Sequence, residues 1–295
     1  MKTDILISFV SWEDRYIMSL SKDLETYTPT IVILFKYDNI LTTEWKTENI
    51  EKSCKSQPKP EVIILNPNNP KEKWEKILSV FSFINEKQNI VINVTTMPRE
   101  IIWDILFNCK KSKANCLIIY YKPEKYSNDW ISRDPDYPRL LYKMSGIATL
   151  NRPTILIVTC GFDILRLDNL ISSFEPKSLI IFIQEGNDPR NKTVINECTN
   201  AYGRKYGKEN IIRYNAYNVE NTYELISKLI DERKLLDHYN IILGSLGAKI
   251  SAIALFKIWL KYPQVALSYI RSKEYNRNYS SGIGEKYIHE IDFRS

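Results

Sequence analysis

Histidine is nearly absent from this chain: His238 and His289 are the only two in 295 residues. That removes the commonest general base and a leading metal ligand from almost the whole sequence. No G-x-S-x-G elbow and no H-E-x-x-H helix occurs, and neither Cys160 nor Cys198 has an obvious histidine partner. Nucleophilic and metal-assisted catalysis are therefore disfavoured, and no cofactor or metal is expected. The five cysteines (Cys54, Cys109, Cys116, Cys160, Cys198) contain no C-x-x-C pair, which argues against a disulfide framework and for a reducing compartment. No apolar run approaches the roughly 20 residues that cross a bilayer. Met1-Lys2-Thr3-Asp4 leads straight into a strand-like run, without a secretory signal. The expectation is a cytoplasmic protein with no membrane contact. Dense basic runs are missing too. Lys110-Lys111-Ser112-Lys113 is the nearest, and it reads as a solvated helix end, so a net charge of +6 supports anionic ligands but not nucleic-acid binding.

What the chain has instead is a succession of buried-type strands. Apolar runs at 5–10, 30–35, 60–65, 89–94 and 116–121 alternate with helical patterns at 11–24, 70–86 and 100–108, while 36–56 reads as a loop and a polar helix. After Asn151-Arg152-Pro153 the pattern restarts. Strands are expected at 154–159, 178–183, 210–215, from 240 and at 264–270, with helices before Glu175-Pro176 and at 190–206, 221–233 and 250–260. Near-continuous Ile/Val/Leu strands separated by helices predict an α/β fold of mostly parallel sheets with helices on both faces. We read two Rossmann-like halves, 1–150 and 151–295.

The halves match in more than their strands. Trp12-Glu13 and Arg15 sit where Phe162-Asp163 and Arg166 sit, after the first strand. Thr96 and Arg99 correspond to Ser245 and Lys249; Tyr120, Lys122 and Tyr126 share their spacing with Tyr269, Arg271 and Tyr275; Ser145-Gly146-Ile147 echoes Ser281-Gly282-Ile283. Matches in the same order at similar intervals predict an internal duplication.

Ligands of open parallel sheets bind beyond the carboxyl ends of the strands, where helix N-termini favour anions. The candidate ligand-binding residues therefore lie in the strand-to-helix turns. In the first half they are Trp12, Glu13, Arg15, Thr95, Thr96 and Arg99; in the second, Gly161, Phe162, Asp163, Arg166, Gly244, Ser245, Gly247 and Lys249. Gly244 and Gly247 would let backbone approach a phosphate, and Lys249 and Arg99 would add charge. Trp12 and Phe162 would stack on a base, or else belong to the core. Glu13 and Asp163 would hold a ribose hydroxyl or base amine, or else cap their helices. An enzymatic alternative makes the same two carboxylates an acid or base acting on a nucleotide, as a hydrolase or nuclease. The tyrosine-rich segments after residue 120 and after residue 269 suit a protein interface.

Asn93-Val94-Thr95-Thr96-Met97-Pro98-Arg99 is similar to the Asn-x-Thr-Gly-Gly-Thr-Lys turn of CARF domains, and Gly244-Ser245-Leu246-Gly247-Ala248-Lys249 is a looser relative. The chain thus resembles the CARF and SAVED group of Rossmann-like sensor domains from bacterial antiviral systems. Met97-Pro98 replaces the double glycine, and the second turn lacks the leading Asn-x-Thr. The resemblance implies a sensor or regulatory subunit that binds a nucleotide-type anion, such as a cyclic oligonucleotide, in a basic cleft between two fused units. It also implies a separate effector protein. A further alternative is a scaffold subunit of a complex that binds no ligand.

Overall fold

The structure, a computed structural model, describes residues 3–38, 58–127, 129–186 and 188–294. The polar helix expected within 36–56 falls almost wholly outside those residues. The chain forms two compact units, one of Met1–Asp129 with Arg277–Ser295 and one of Trp130–Asn276.

The first unit begins with β1 (Ile5–Phe9), α1 (Asp14–Tyr27), β2 (Ile31–Tyr37) and β3 (Glu61–Leu65). It continues with α2 (Pro70–Val80), β4 (Asn89–Asn93), α3 (Arg99–Lys111), β5 (Asn115–Tyr121) and the short β6 (Lys125–Tyr126). Asn69 caps α2 by accepting from the Glu72 N–H at 3.1 Å, with Pro70 in the first turn where its missing donor costs nothing. The sequence carries this helix to residue 86, but it closes at Val80 and a 3-10 turn, Phe81–Phe83, follows. Asn85 and Gln88 explain the stop: their side chains take the backbone N–H groups of Lys87 and Asn85, a local turn that competes with helix. The second unit contains β7 (Ser132–Pro135), β8 (Arg139–Leu140), β9 (Thr154–Cys160), α4 (Ile164–Phe174), β10 (Ser178–Gln184) and α5 (Pro189–Tyr206). Then come β11 (Ile211–Tyr214), α6 (Val219–Glu232), α7 (Leu235–His238), β12 (Asn240–Ser245), α8 (Ser251–Lys261), β13 (Ala266–Tyr269) and β14 (Ser272–Tyr275). The chain then returns to the first unit as β15 (Ser280–Ser281) and β16 (Lys286–Asp292).

Each unit is built on a six-stranded sheet, ordered β3-β2-β1-β4-β5-β16 in the first and β11-β10-β9-β12-β13-β8 in the second. In both, five parallel strands reverse direction of growth beside the first strand, and the sixth is antiparallel. The Rossmann-like α/β class expected from the sequence is therefore found. Strands such as Ile5–Phe9 are buried along their whole length because helices cover both faces: Leu6 packs with Tyr16, Leu20 and Leu24 of α1, while Ile5 and Ile7 face the other way.

The boundary expected near Asn151 is displaced by strand exchange. The chain leaving β5 supplies the sixth strand of the second sheet, and the chain leaving β13 supplies the sixth strand of the first. The polar tyrosine-rich segments hide these strands. In β16 every other residue faces solvent, and short arms pair β6 with β15 and β7 with β14. Gly146 and Gly282, matched in the sequence, share φ +66.

Candidate functional site

In the first unit the switch point lies between β1 and β4, and the expected residues cluster in the loops that leave these strands. Most of their polar atoms are bound to the protein itself. Arg15 donates from Nε to Glu13 at 3.0 Å, forms a second, shorter contact to the same oxygen, and reaches the Tyr121 carbonyl at 3.2 Å. Glu13 Oε2 also accepts from the hydroxyls of Tyr279 (3.0 Å) and Ser280 (3.1 Å). Both side chains are almost fully buried, at 2% and 4% exposure. Burial alone would favour a neutral Arg15, but the facing Glu13 carboxylate outweighs it and holds the guanidinium above its ordinary range. The threonines are equally engaged. Thr95 Oγ1 accepts from the Tyr121 N–H at 3.1 Å, and Thr96 Oγ1 donates to the Phe9 carbonyl at 3.0 Å. Trp12 and Arg99 remain half-buried at the loop surface.

Beneath these loops lies a residue the sequence reading passed over. Asp23 is on the buried stripe of α1 and accepts from the Tyr121 hydroxyl (2.8 Å), Asn93 Nδ2 (2.6 Å) and Lys286 Nζ (3.4 Å). Desolvation prevails over these partners and raises its carboxyl above the ordinary 3.8. A raised folded-state value means the native state holds this proton more tightly. The resulting stability is complete below about pH 3.8 and is lost as pH rises through the folded value. Asp23→Asn should abolish that component. Urea midpoints measured from pH 7 to pH 4 should therefore show the wild-type advantage over the variant growing as pH falls; parallel profiles would dismiss Asp23 as the source.

The second unit repeats the closed arrangement. Asp163 caps α4 through the Arg166 N–H (3.2 Å), pairs with Arg166 Nε at 2.9 Å and accepts from the Ser132 hydroxyl, which itself accepts from Ser272 at 2.9 Å. Arg166 reaches the Ile270 carbonyl at 3.5 Å, the counterpart of Arg15 on Tyr121. Burial would raise the Asp163 carboxyl, but Arg166 and the hydrogen bonds outweigh it and hold it below its ordinary range.

The glycine turn after β12 is filled. The N–H groups of Leu246 and Gly247 both donate to the Thr159 carbonyl, at 2.7 and 2.9 Å, so they do not form an open anion cradle. Glycine is needed here for packing. A Cβ on Gly247 would stand 2.7 Å from the Tyr214 hydroxyl oxygen, and one on Gly161 would meet Gly247 Cα and the Leu246 carbonyl at 3.3 Å. Gly244 lies against Leu170, Val158 and Ser268. Ser245 Oγ is buried and makes no hydrogen bond among the described residues. Phe162 and Lys249 are half-buried, and the Arg190 guanidinium lies over the Phe162 ring at 4.3 Å while pairing with Asp188 at 2.6 Å. Arg190 opens α5 after β10; its place beside Phe162 depends on sheet order, which the linear sequence does not display.

A second missed cluster lies in the first unit. Lys73 of α2 contacts Glu100 at 2.5 Å and Asp104 at 3.1 Å, both on α3, and Tyr37 at the end of β2 donates to Glu100 at 2.6 Å. All four residues are buried. Lys73 and Glu100 have no role in the sequence reading, and nothing in their spacing announces the pair. Among the described residues no group of His, Cys, Asp and Glu is arranged to hold a metal ion. No described helix is long and apolar enough to cross a membrane.

No family model and no curated protein matches the chain. Among solved structures, the cytoplasmic domain of a prokaryotic cation chloride cotransporter aligns over 94% of this chain and 99% of that chain, at 9% identity and a TM-score of 0.32. A likeness at that level carries no functional argument.

Proposed function

We propose that the protein is a non-catalytic sensor or regulatory subunit that binds an anionic, nucleotide-type ligand at the carboxyl ends of its sheets and acts on a separate effector protein. One observation carries the reading. In each unit the loop leaving the first strand offers a half-buried aromatic ring, Trp12 or Phe162, and the loop leaving the fourth offers a half-buried base, Arg99 or Lys249. An aromatic ring and a cation beside neighbouring strands suit a base and a phosphate, with the Arg190 guanidinium already on one face of Phe162. The resemblance to CARF and SAVED domains supports a cyclic oligonucleotide as the ligand and antiviral defence as the setting. The common strand order supports descent of both units from one duplicated ancestor. The exposed apolar side chains of Tyr137, Tyr142, Ile147 and Leu150 offer the effector a surface.

Isothermal titration with linear and cyclic nucleotides tests the proposal. Charge-assisted hydrogen bonds contribute about 1.5–3 kcal/mol each. Arg99→Ala with Lys249→Ala should thus weaken binding by about a hundredfold or more while leaving the melting temperature of the free protein nearly unchanged. Undiminished affinity in the double variant would refute the reading. A ligand-free scaffold is the competing reading, favoured by the Leu246 and Gly247 N–H groups being spent on Thr159. No heat with any nucleotide would favour it.

A further inference from the structure

The first unit carries a cleft of about 870 Å³ between the end of α2 and the end of α3. Its lining includes Ile84–Lys87, which lead into β4, and Lys111–Lys113, which lead into β5. It therefore opens at the amino ends of the strands, away from the loops that leave β1 and β4, and its volume is that of a small-molecule site. Leu78, Phe81 and Ile84 give it an apolar floor, the latter two buried. Lys87, Lys111 and Lys113 stand exposed on its rim, and none of them forms an ion pair among the described residues. Glu75 and Glu86 also line it, but Glu75 faces Lys71 at 3.8 Å, so the rim stays cationic.

The rim also points to an occupant: its lysines exceed what the helix end requires. Lys111 offsets the negative end of α3, whose carbonyls are already closed by the N–H groups of Ser112, Lys113 and Ala114. Lys87 and Lys113 lie outside the helix. Lys113 holds the left-handed φ of +52 where glycine is the usual choice.

We propose that this cleft is a second ligand site, independent of the nucleotide reading, for a small amphipathic anion: an aromatic or acyl body with one carboxylate, sulfonate or phosphate. The body would lie on Leu78, Phe81 and Ile84, and the anion against Lys111 and Lys113.

The test is a fluorescence titration of the full chain with 1-anilinonaphthalene-8-sulfonate, in parallel with its uncharged analogue N-phenyl-1-naphthylamine. We expect saturable binding of one sulfonate dye, at least tenfold tighter than the uncharged analogue. Lys111→Glu with Lys113→Glu, both at exposed positions, should weaken dye binding at least tenfold, while Arg99→Ala with Lys249→Ala should leave it unchanged. Equal affinity for the uncharged dye, indifference to the charge reversal, loss of binding in the Arg99/Lys249 variant or no saturable binding would each overturn the proposal.

Discussion

Lys73→Met will destabilise the first unit by about 3–5 kcal/mol, although methionine keeps much of the lysine stem's volume. Lys73 is buried between Glu100 and Asp104, and Glu100 is fully inaccessible. Removing the ammonium leaves two desolvated carboxylates, one turn apart on the same face of α3, without the cation that compensates them. Folding domains are typically stable by only about 5–15 kcal/mol, so the loss would be a large part of the margin. Hydrogen exchange locates it: amides within 61–111 should lose protection, while those within 154–214 of the second unit should keep theirs. The double variant Lys73→Met, Glu100→Met should recover part of the loss, because an apolar pair does not leave the same charge stranded. A single variant as stable as the parent would show that Lys73 is not the counter-charge of this cluster.

That cluster marks the limit of what the sequence discloses. The parallel strands are legible because each is an unbroken apolar run with a helix pattern on either side, and their number and order along the chain lead to the correct class. Strands β6, β7, β14 and β15 are not legible, since two to four polar residues carry no period. Nor is β16, whose register on β5, with Tyr287 opposite Tyr120 and Asp292 opposite Asn115, brings together residues more than 160 positions apart. The boundary expected near Asn151 fails for the same reason: each sheet is completed by the segment that follows the other's fifth strand. At the candidate site, residue type placed the candidates in the strand-to-helix turns but did not reveal which groups are spent. Glu13 and Asp163 look available in sequence because Tyr279, Ser280, Ser132 and Ser272, which bind or buttress them, lie 31 to 267 residues from the carboxylate each reaches directly, and one step further for Ser272.

Glu13→Ala separates the two roles proposed for that carboxylate. If Glu13 closes the loop, alanine strands a guanidinium that is 2% exposed and leaves the Tyr279 and Ser280 hydroxyls without their acceptor. Breaking a buried pair from one side costs about 3–5 kcal/mol, and we expect a loss of that size in urea unfolding, with amides of residues 277–286 losing protection first. Glu13→Ala combined with Arg15→Met should recover at least about 1 kcal/mol, since no unpaired charge remains buried. An acid or base in an enzymatic site predicts the reverse: Glu13→Gln would leave stability nearly intact and abolish turnover of a bound nucleotide. The geometry favours closure. Glu13 Oε2 alone meets Arg15, Tyr279 and Ser280, which leaves that oxygen little capacity to exchange a proton with a ligand. The matching carboxylate in the second unit, Asp163, is held in the same way by Arg166 and Ser132. A stable Glu13→Ala protein would return both carboxylates to the list of groups free for chemistry. An unstable one that regains stability when Arg15 is also replaced leaves ligand recognition to the half-buried aromatic and basic residues above them.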